Sequence, residues 1–169
     1  MSQWVESMVA IQATEAVLTA KHGCGFYLWN TSVRLPNGQT YPYHVNIDKH
    51  GDILQQFVEA TSARGIGHGF YYSLTNNFFL NVFSHSAHGN ASAIPGQYPV
   101  TQQQFEDIAF ASVSELWTRF GNLTEIWFDG GYSGIFFVNL LARNTPNTCT
   151  HSLIQSHTHR SHTHIYDLI

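Results

Sequence analysis

The sequence predicts an α/β fold in which parallel strands alternate with helices, and three observations carry that prediction. Short apolar runs that read as strands begin near residues 16, 67 and 124. Each is separated from the next by a stretch with helical spacing of apolar residues, and strands joined through helices run parallel. The long polar segments all follow strands, whereas the links from helix back to strand are short. In folds of this kind, function gathers at the carboxyl ends of the strands.

Residues 4–13 hold Val5, Met8, Val9 and Ile11 at helical spacing, with no N-cap residue ahead of them. Ala16-Val17-Leu18-Thr19-Ala20 is the first strand, and Lys21-His22-Gly23-Cys24-Gly25-Phe26 is the glycine-punctuated loop it runs into. Residues 30–51 read as loop, marked by Pro36-Asn37-Gly38 and Tyr41-Pro42. That is long for a plain connection and points to a binding loop. Asp52 then caps a helix, with Gln55 placed as its capping-box partner. Ile53, Leu54, Phe57, Val58 and Ala60 form the buried stripe, and Arg64-Gly65 reads as the left-handed end. Gly67–Ser73 is the second strand, and residues 74–98 are a second long loop. Thr101 and Gln104 make another capping box, ahead of a helix that buries Phe105, Ile108, Ala109, Val113, Leu116 and Trp117. Phe120-Gly121-Asn122 ends it, and Ile126-Trp127-Phe128 reads as a buried core strand delivering Asp129 to a pair of glycines.

Composition narrows the function classes. The chain has 169 residues, 43% hydrophobic and 14% aromatic, with a formal charge of −4, which suits one globular core. Seven basic residues spread singly along the chain give no footprint for nucleic acid. No apolar run approaches the roughly 20 residues that cross a bilayer. No basic and apolar leader follows Met1, so no signal peptide is expected. Cys24 and Cys149 are too few for a disulfide framework. Three Asn-x-Ser/Thr triplets, at Asn30, Asn90 and Asn122, fit the glycosylation pattern but arise readily by chance.

Asp129 is the acid to weigh first. At the carboxyl end of a parallel strand it stands where α/β barrels put catalytic groups, although Asp-Gly is also a common turn dipeptide. Tyr71 and Tyr72 must face opposite sides of their strand, so at most one of them can share a site with it. His22, taken alone, reads as a loop histidine bonded to backbone. Cys24 lacks thiolate-lowering neighbours beyond Lys21 and His22.

Three ordered motifs then resemble one family, the retaining α-L-fucosidases. Ala20-Lys21-His22-Gly23-Cys24-Gly25-Phe26 with Trp29 is similar to the family's AKHHDGF-x-x-W segment. Arg64-Gly65-Ile66-Gly67-His68-Gly69-Phe70-Tyr71-Tyr72-Ser73 resembles its RGI-x-x-GxYYS strand, and Glu125-Ile126-Trp127-Phe128-Asp129-Gly130 its E-x-W-F-D-G strand end. The resemblance implies a (β/α)8 barrel, of which this chain holds about three strands, removing terminal α-L-fucose from glycans with retention. It implies Asp129 as nucleophile. It also implies His22, Trp29 and one of Tyr71 and Tyr72 as sugar contacts, with no metal and no cofactor. Gly23-Cys24 departs from the family's pattern, where His-Asp is usual.

A retaining glycosidase needs a second carboxyl group about 5–5.5 Å from the nucleophile. Glu15 and Glu125 sit at the amino ends of their strands, and the remaining acids lie in loops and helices. The chain is therefore expected to be an incomplete form lacking the acid/base. Residues 1–134 are the expected portion of the catalytic domain, and 135–169 a divergent, His-rich tail expected to be disordered. The expected partner is a fucosylated glycan, with neither nucleic acid nor membrane. The compartment stays open, since the resemblance points to secretion or lysosomes and no leader is seen. Two alternatives remain: a non-catalytic fucose-binding remnant, and metal binding by the tail through His157-x-His159 and His162-x-His164.

Overall fold

The structure, a computed structural model, describes residues 1–129, 153–158 and 161–162. Its elements in chain order are α1 (Ser2–Ala10), β1 (Glu15–Lys21), α2 (Ile47–His50), α3 (Ile53–Ser62), β2 (Gly67–Ser73), β3 (Val82–Phe83), β4 (Ser86–Ala87), a 3-10 turn (Gly89–Ser92), α4 (Gln102–Arg119), β5 (Glu125–Asp129), β6 (Leu153–Thr158) and β7 (Ser161–His162). One sheet runs β1-β2-β5-β6-β7, with the first four strands parallel and β7 antiparallel; β3 and β4 form a separate hairpin. Among the described residues no helix is long and apolar enough to cross a membrane.

The caps follow the side chains that set them. Thr101 and Gln104 form the complete reciprocal box at the start of α4. Asp52 accepts the Gln55 N–H, but the Gln55 side chain donates to Glu59 instead of returning to the cap, so only half of that box forms. The first long loop contains the short α2, capped by Asn46, and the second contains the β3–β4 hairpin; neither is visible as an apolar run.

Alternation sorts the strand residues. Leu18 and Ala20 of β1, Phe70 and Tyr72 of β2, and Ile126 and Phe128 of β5 are buried with Leu54 and Phe57 of α3 and the apolar face of α4. The opposite face carries Thr19, Tyr71, Trp127 and Asp129. Trp127, expected in the core, belongs to this second face and is only half-buried, because it lies two residues from Asp129. Gly69 permits the sheet to close here: a Cβ on it would lie 2.5 Å from the Glu125 carbonyl oxygen.

No strand was expected within residues 135–169, yet β6 pairs along β5 and places His157 in register with Asp129. Strand pairing engages backbone groups and needs no apolar face, so a polar tract can cover a sheet edge. Apart from β7, the rest of that segment, including His159 and His164, lies outside the described residues.

Candidate active site

The site is assembled at the carboxyl ends of β1, β2 and β5. Asp129 ends β5 opposite Ser73, and Tyr71 pairs with Trp127, one step back on the same face. Tyr71 therefore reaches Asp129 diagonally, leaning along the strand, and its hydroxyl donates to Asp129 Oδ2 at 2.5 Å. Burial first, then the hydrogen bond to the carboxylate, raises the Tyr71 phenol well above its ordinary range. It thus stays a neutral donor throughout the neutral pH range. Thr75 Oγ1 donates to the Asp129 backbone carbonyl at 3.0 Å, which ties the end of β5 to the loop after β2.

His22 arrives through an irregularity in β1. The register with β2 shifts between Thr19 and Lys21, so that Lys21, instead of Ala20, stands opposite Tyr72. One extra residue reverses which side chains face which way. Lys21 is sent inward, fully buried, and its ammonium nitrogen donates to the carbonyls of Ser73 and Asn76 at 2.6 and 2.5 Å. The exposed His22 falls on the open side, its ring stacked on Tyr71 at 5.6 Å between centroids. Trp127 meets Tyr71 edge-on at 5.4 Å between centroids. Three rings and a carboxylate thus share one face of the sheet.

Lys21 is the missed member of this arrangement. Burial holds its pKa down to about 7, against 10.5 ordinarily, and its two acceptors clamp the loop after β2 to the end of β1. A lysine directly before the motif histidine was the available signal.

Trp29, an expected sugar contact, and Tyr72, the other member of the tyrosine pair, are placed elsewhere. Trp29 is fully buried, stacked on Tyr27 at 4.2 Å, with its Nε1 donating to Glu115 Oε2 at 3.0 Å. Tyr72 is buried on the helix side, 3.3 Å from the Tyr27 hydroxyl. Neither ring presents a face beside Asp129, because alternation and long-range packing against α4 turn both inward. At the departure from the family motif, Gly23 and Cys24 accept the amides of Phe78 and Phe79 through their carbonyls, which ties the two loops together through backbone at this point.

Among the described residues no second carboxyl joins Asp129. Glu115 is spent on Trp29, Thr31 and Ser32. Asp52 is spent on α3, Asn30 and Arg119. No three His, Cys, Asp or Glu residues cluster as metal ligands there either.

Comparison with known proteins points one way. A sequence model of the α-L-fucosidase family matches residues 1–167. The rice protein named "Putative alpha-L-fucosidase 1" (Oryza sativa subsp. japonica) is 28% identical over 128 residues, covering 76% of this chain and 21% of its own length. A crystal structure from Bacteroides thetaiotaomicron, described as a "putative alpha-L-fucosidase", superposes with a TM-score of 0.61 at 31% identity, over 76% of this chain and 29% of that one. An α-L-fucosidase solved with 4-nitrophenyl α-L-fucopyranoside superposes with a TM-score of 0.65 at 17% identity, over 90% and 51%. The parallel strands and their helices are part of a (β/α)8 barrel. The chain spans about a fifth of the length of the plant relative.

Proposed function

The chain belongs to the α-L-fucosidase family, and on that footing we propose that its site acts on terminal α-L-fucose with Asp129 as the nucleophile of a retaining double displacement. One observation carries the reading: a strand-end carboxylate, fixed through Oδ2 by Tyr71, beside a wall of rings formed by His22, Tyr71 and Trp127. The carboxylate attacks C1 of the fucose, the bond from C1 to the leaving oxygen breaks as that oxygen takes a proton from the acid/base, and a fucosyl ester forms on Asp129. Water then attacks C1, frees Asp129 and returns a proton to the acid/base. His22 and Trp127 supply sugar contacts, His22 through its polar edge and Trp127 through its face. The acid/base is assigned to a segment beyond the described residues, since none of them sets a second carboxyl beside Asp129.

That same absence favours one second reading, fucose binding without turnover. Hydrolysis of 4-nitrophenyl α-L-fucopyranoside by the full chain and by Asp129→Asn separates the two. Release of nitrophenolate by the wild type alone supports the nucleophile. Fucose binding with no release, weakened in Asp129→Ala, supports the remnant. Equal release by both proteins removes Asp129 from the chemistry. Metal binding by His157, His159, His162 and His164 stays a separate proposal. It is tested by nickel retention of a chain ending at Ser133, and retention unchanged without the tail would dismiss it.

A further inference from the structure

The loop that follows β2 holds two neighbouring phenylalanines in opposite situations. Phe79 is packed among Tyr41, Tyr43 and Tyr98. Phe78 is 44% exposed, and its ring meets Phe83, itself 40% exposed, at 6.3 Å between centroids. His88 adds a third ring, 6.0 Å from Phe83. Single exposed apolar residues are ordinary; two rings in contact on one rigid rim are less so.

The backbone beneath these rings is fixed. The Phe78 amide donates to the Gly23 carbonyl at 2.8 Å, and its own carbonyl accepts Gln97 Nε2 at 2.7 Å. The buried Asn77 side chain accepts the Leu80 N–H and donates to the Tyr41 hydroxyl. Phe83 ends β3, and Ser84 and His85 turn the hairpin with φ of 49° and 67°, the two left-handed positions of a type I′ connection. The platform is also continuous with the candidate site. The Ser84 amide donates to Asn76 Oδ1, the His85 amide to the Thr75 carbonyl, and Thr75 Oγ1 to the carbonyl of Asp129. Phe78 is likewise one hydrogen bond from Gly23, beside His22.

We propose that Phe78 and Phe83 form a platform for the aglycone, the residue to which the fucose is attached, and that they select a leaving group with a flat apolar face. This rests on the fucosidase reading. A pyranose presents such a face through its axial C–H groups, and an aryl aglycone through its ring. An aglycone too small to cover the rings gains nothing from them.

The test is a binding titration of the full chain with three probes: methyl α-L-fucoside, 4-nitrophenyl α-L-fucoside and an α-L-fucosyl-N-acetylglucosamine disaccharide. The wild type is expected to bind the two larger probes roughly 2- to 10-fold more tightly than the methyl glycoside, the range of one aromatic stacking contact. Phe78→Ala and Phe83→Ala abolish that advantage and leave the methyl glycoside unchanged, while Phe83→Trp retains it. A gain for the disaccharide identifies a sugar as occupant, and a gain for the aryl probe alone identifies an aromatic ring; either supports the platform. An advantage that survives both alanine variants, or is absent in the wild type, overturns the platform and leaves the fucose site standing. Failure of all three probes to bind overturns the fucose reading, and the platform with it.

Discussion

Replacing Glu115 with alanine should cost more than any other single change to an acidic side chain in the described structure. The Glu115 carboxylate, on α4, accepts Trp29 Nε1 at 3.0 Å, Thr31 Oγ1 at 2.6 Å, and Ser32 through its amide at 2.9 Å and its hydroxyl at 3.0 Å. It thereby docks the loop after β1 against the helix that precedes β5. Ser32 is exposed, so water replaces its lost partner. Trp29 and Thr31 are buried, and each donor left unpaired costs about 1–3 kcal/mol. The expected loss is about 3 kcal/mol, or roughly 6–12 °C in Tm for a chain of this size. Glu115→Gln keeps a side-chain carbonyl for Trp29 and should cost ~1 kcal/mol. The assay is urea unfolding followed by tryptophan fluorescence.

Acid should narrow the gap between Glu115→Ala and the wild type. Burial alone would raise the Glu115 carboxyl, but the bonds from Thr31, Trp29 and Ser32 together bring it below its ordinary value of 4.5. A carboxyl lowered in the folded state contributes stability that is complete above its unfolded pKa and is lost as pH falls through the folded one. The gap should therefore be full at pH 7 and smaller toward pH 3. A gap under about 1 kcal/mol at pH 7, or one that does not shrink in acid, would refute this account of how the loop is held.

Lys21 predicts a trend of the same sign in a higher pH range. With its pKa near 7 in the fold against 10.5 ordinarily, the unfolded chain keeps a proton that the folded chain has released, so stability rises with pH above 7. Urea midpoints at pH 7 and 9 should show that rise in the wild type, and Lys21→Met should lack it. At Tyr71, removing the hydroxyl withdraws the 2.5 Å bond to Asp129 but keeps the stack on His22. Tyr71→Phe should lower kcat for an aryl fucoside roughly 10- to 100-fold with little change in KM; a change within about twofold would mean that the hydroxyl does not orient the carboxylate.

How much was legible follows from the range of the forces involved. The positions of β1, β2 and β5, and both caps of the long helices, depend on neighbours within about five residues, and the sequence carries them. Asp129 was legible for the same reason, at the end of an apolar run before two glycines. Trp127 was read as core because it lies in that run, although counting back by two from Asp129 places it on the open face. The burial of Trp29 was not legible because its partner, Glu115, is 86 residues away and on another element. The shift in β1 that buries Lys21 and turns out His22 leaves no mark in periodicity, since it depends on pairing with β2. The hairpin bearing Phe83 is turned by Ser84-His85 instead of the usual Asn-Gly, and so it read as loop.

The identity of the nucleophile is open to direct trapping. A 2-deoxy-2-fluoro-α-L-fucosyl fluoride loses fluoride without protonation, so its first displacement needs the nucleophile and not the acid/base, and the fluorine at C2 slows the second. Incubation with the full chain followed by peptide mass mapping should find the fluorofucosyl adduct on the peptide containing Asp129, and no adduct in Asp129→Asn. An adduct on any other residue, or an adduct that persists in Asp129→Asn, would contradict the assignment of Asp129.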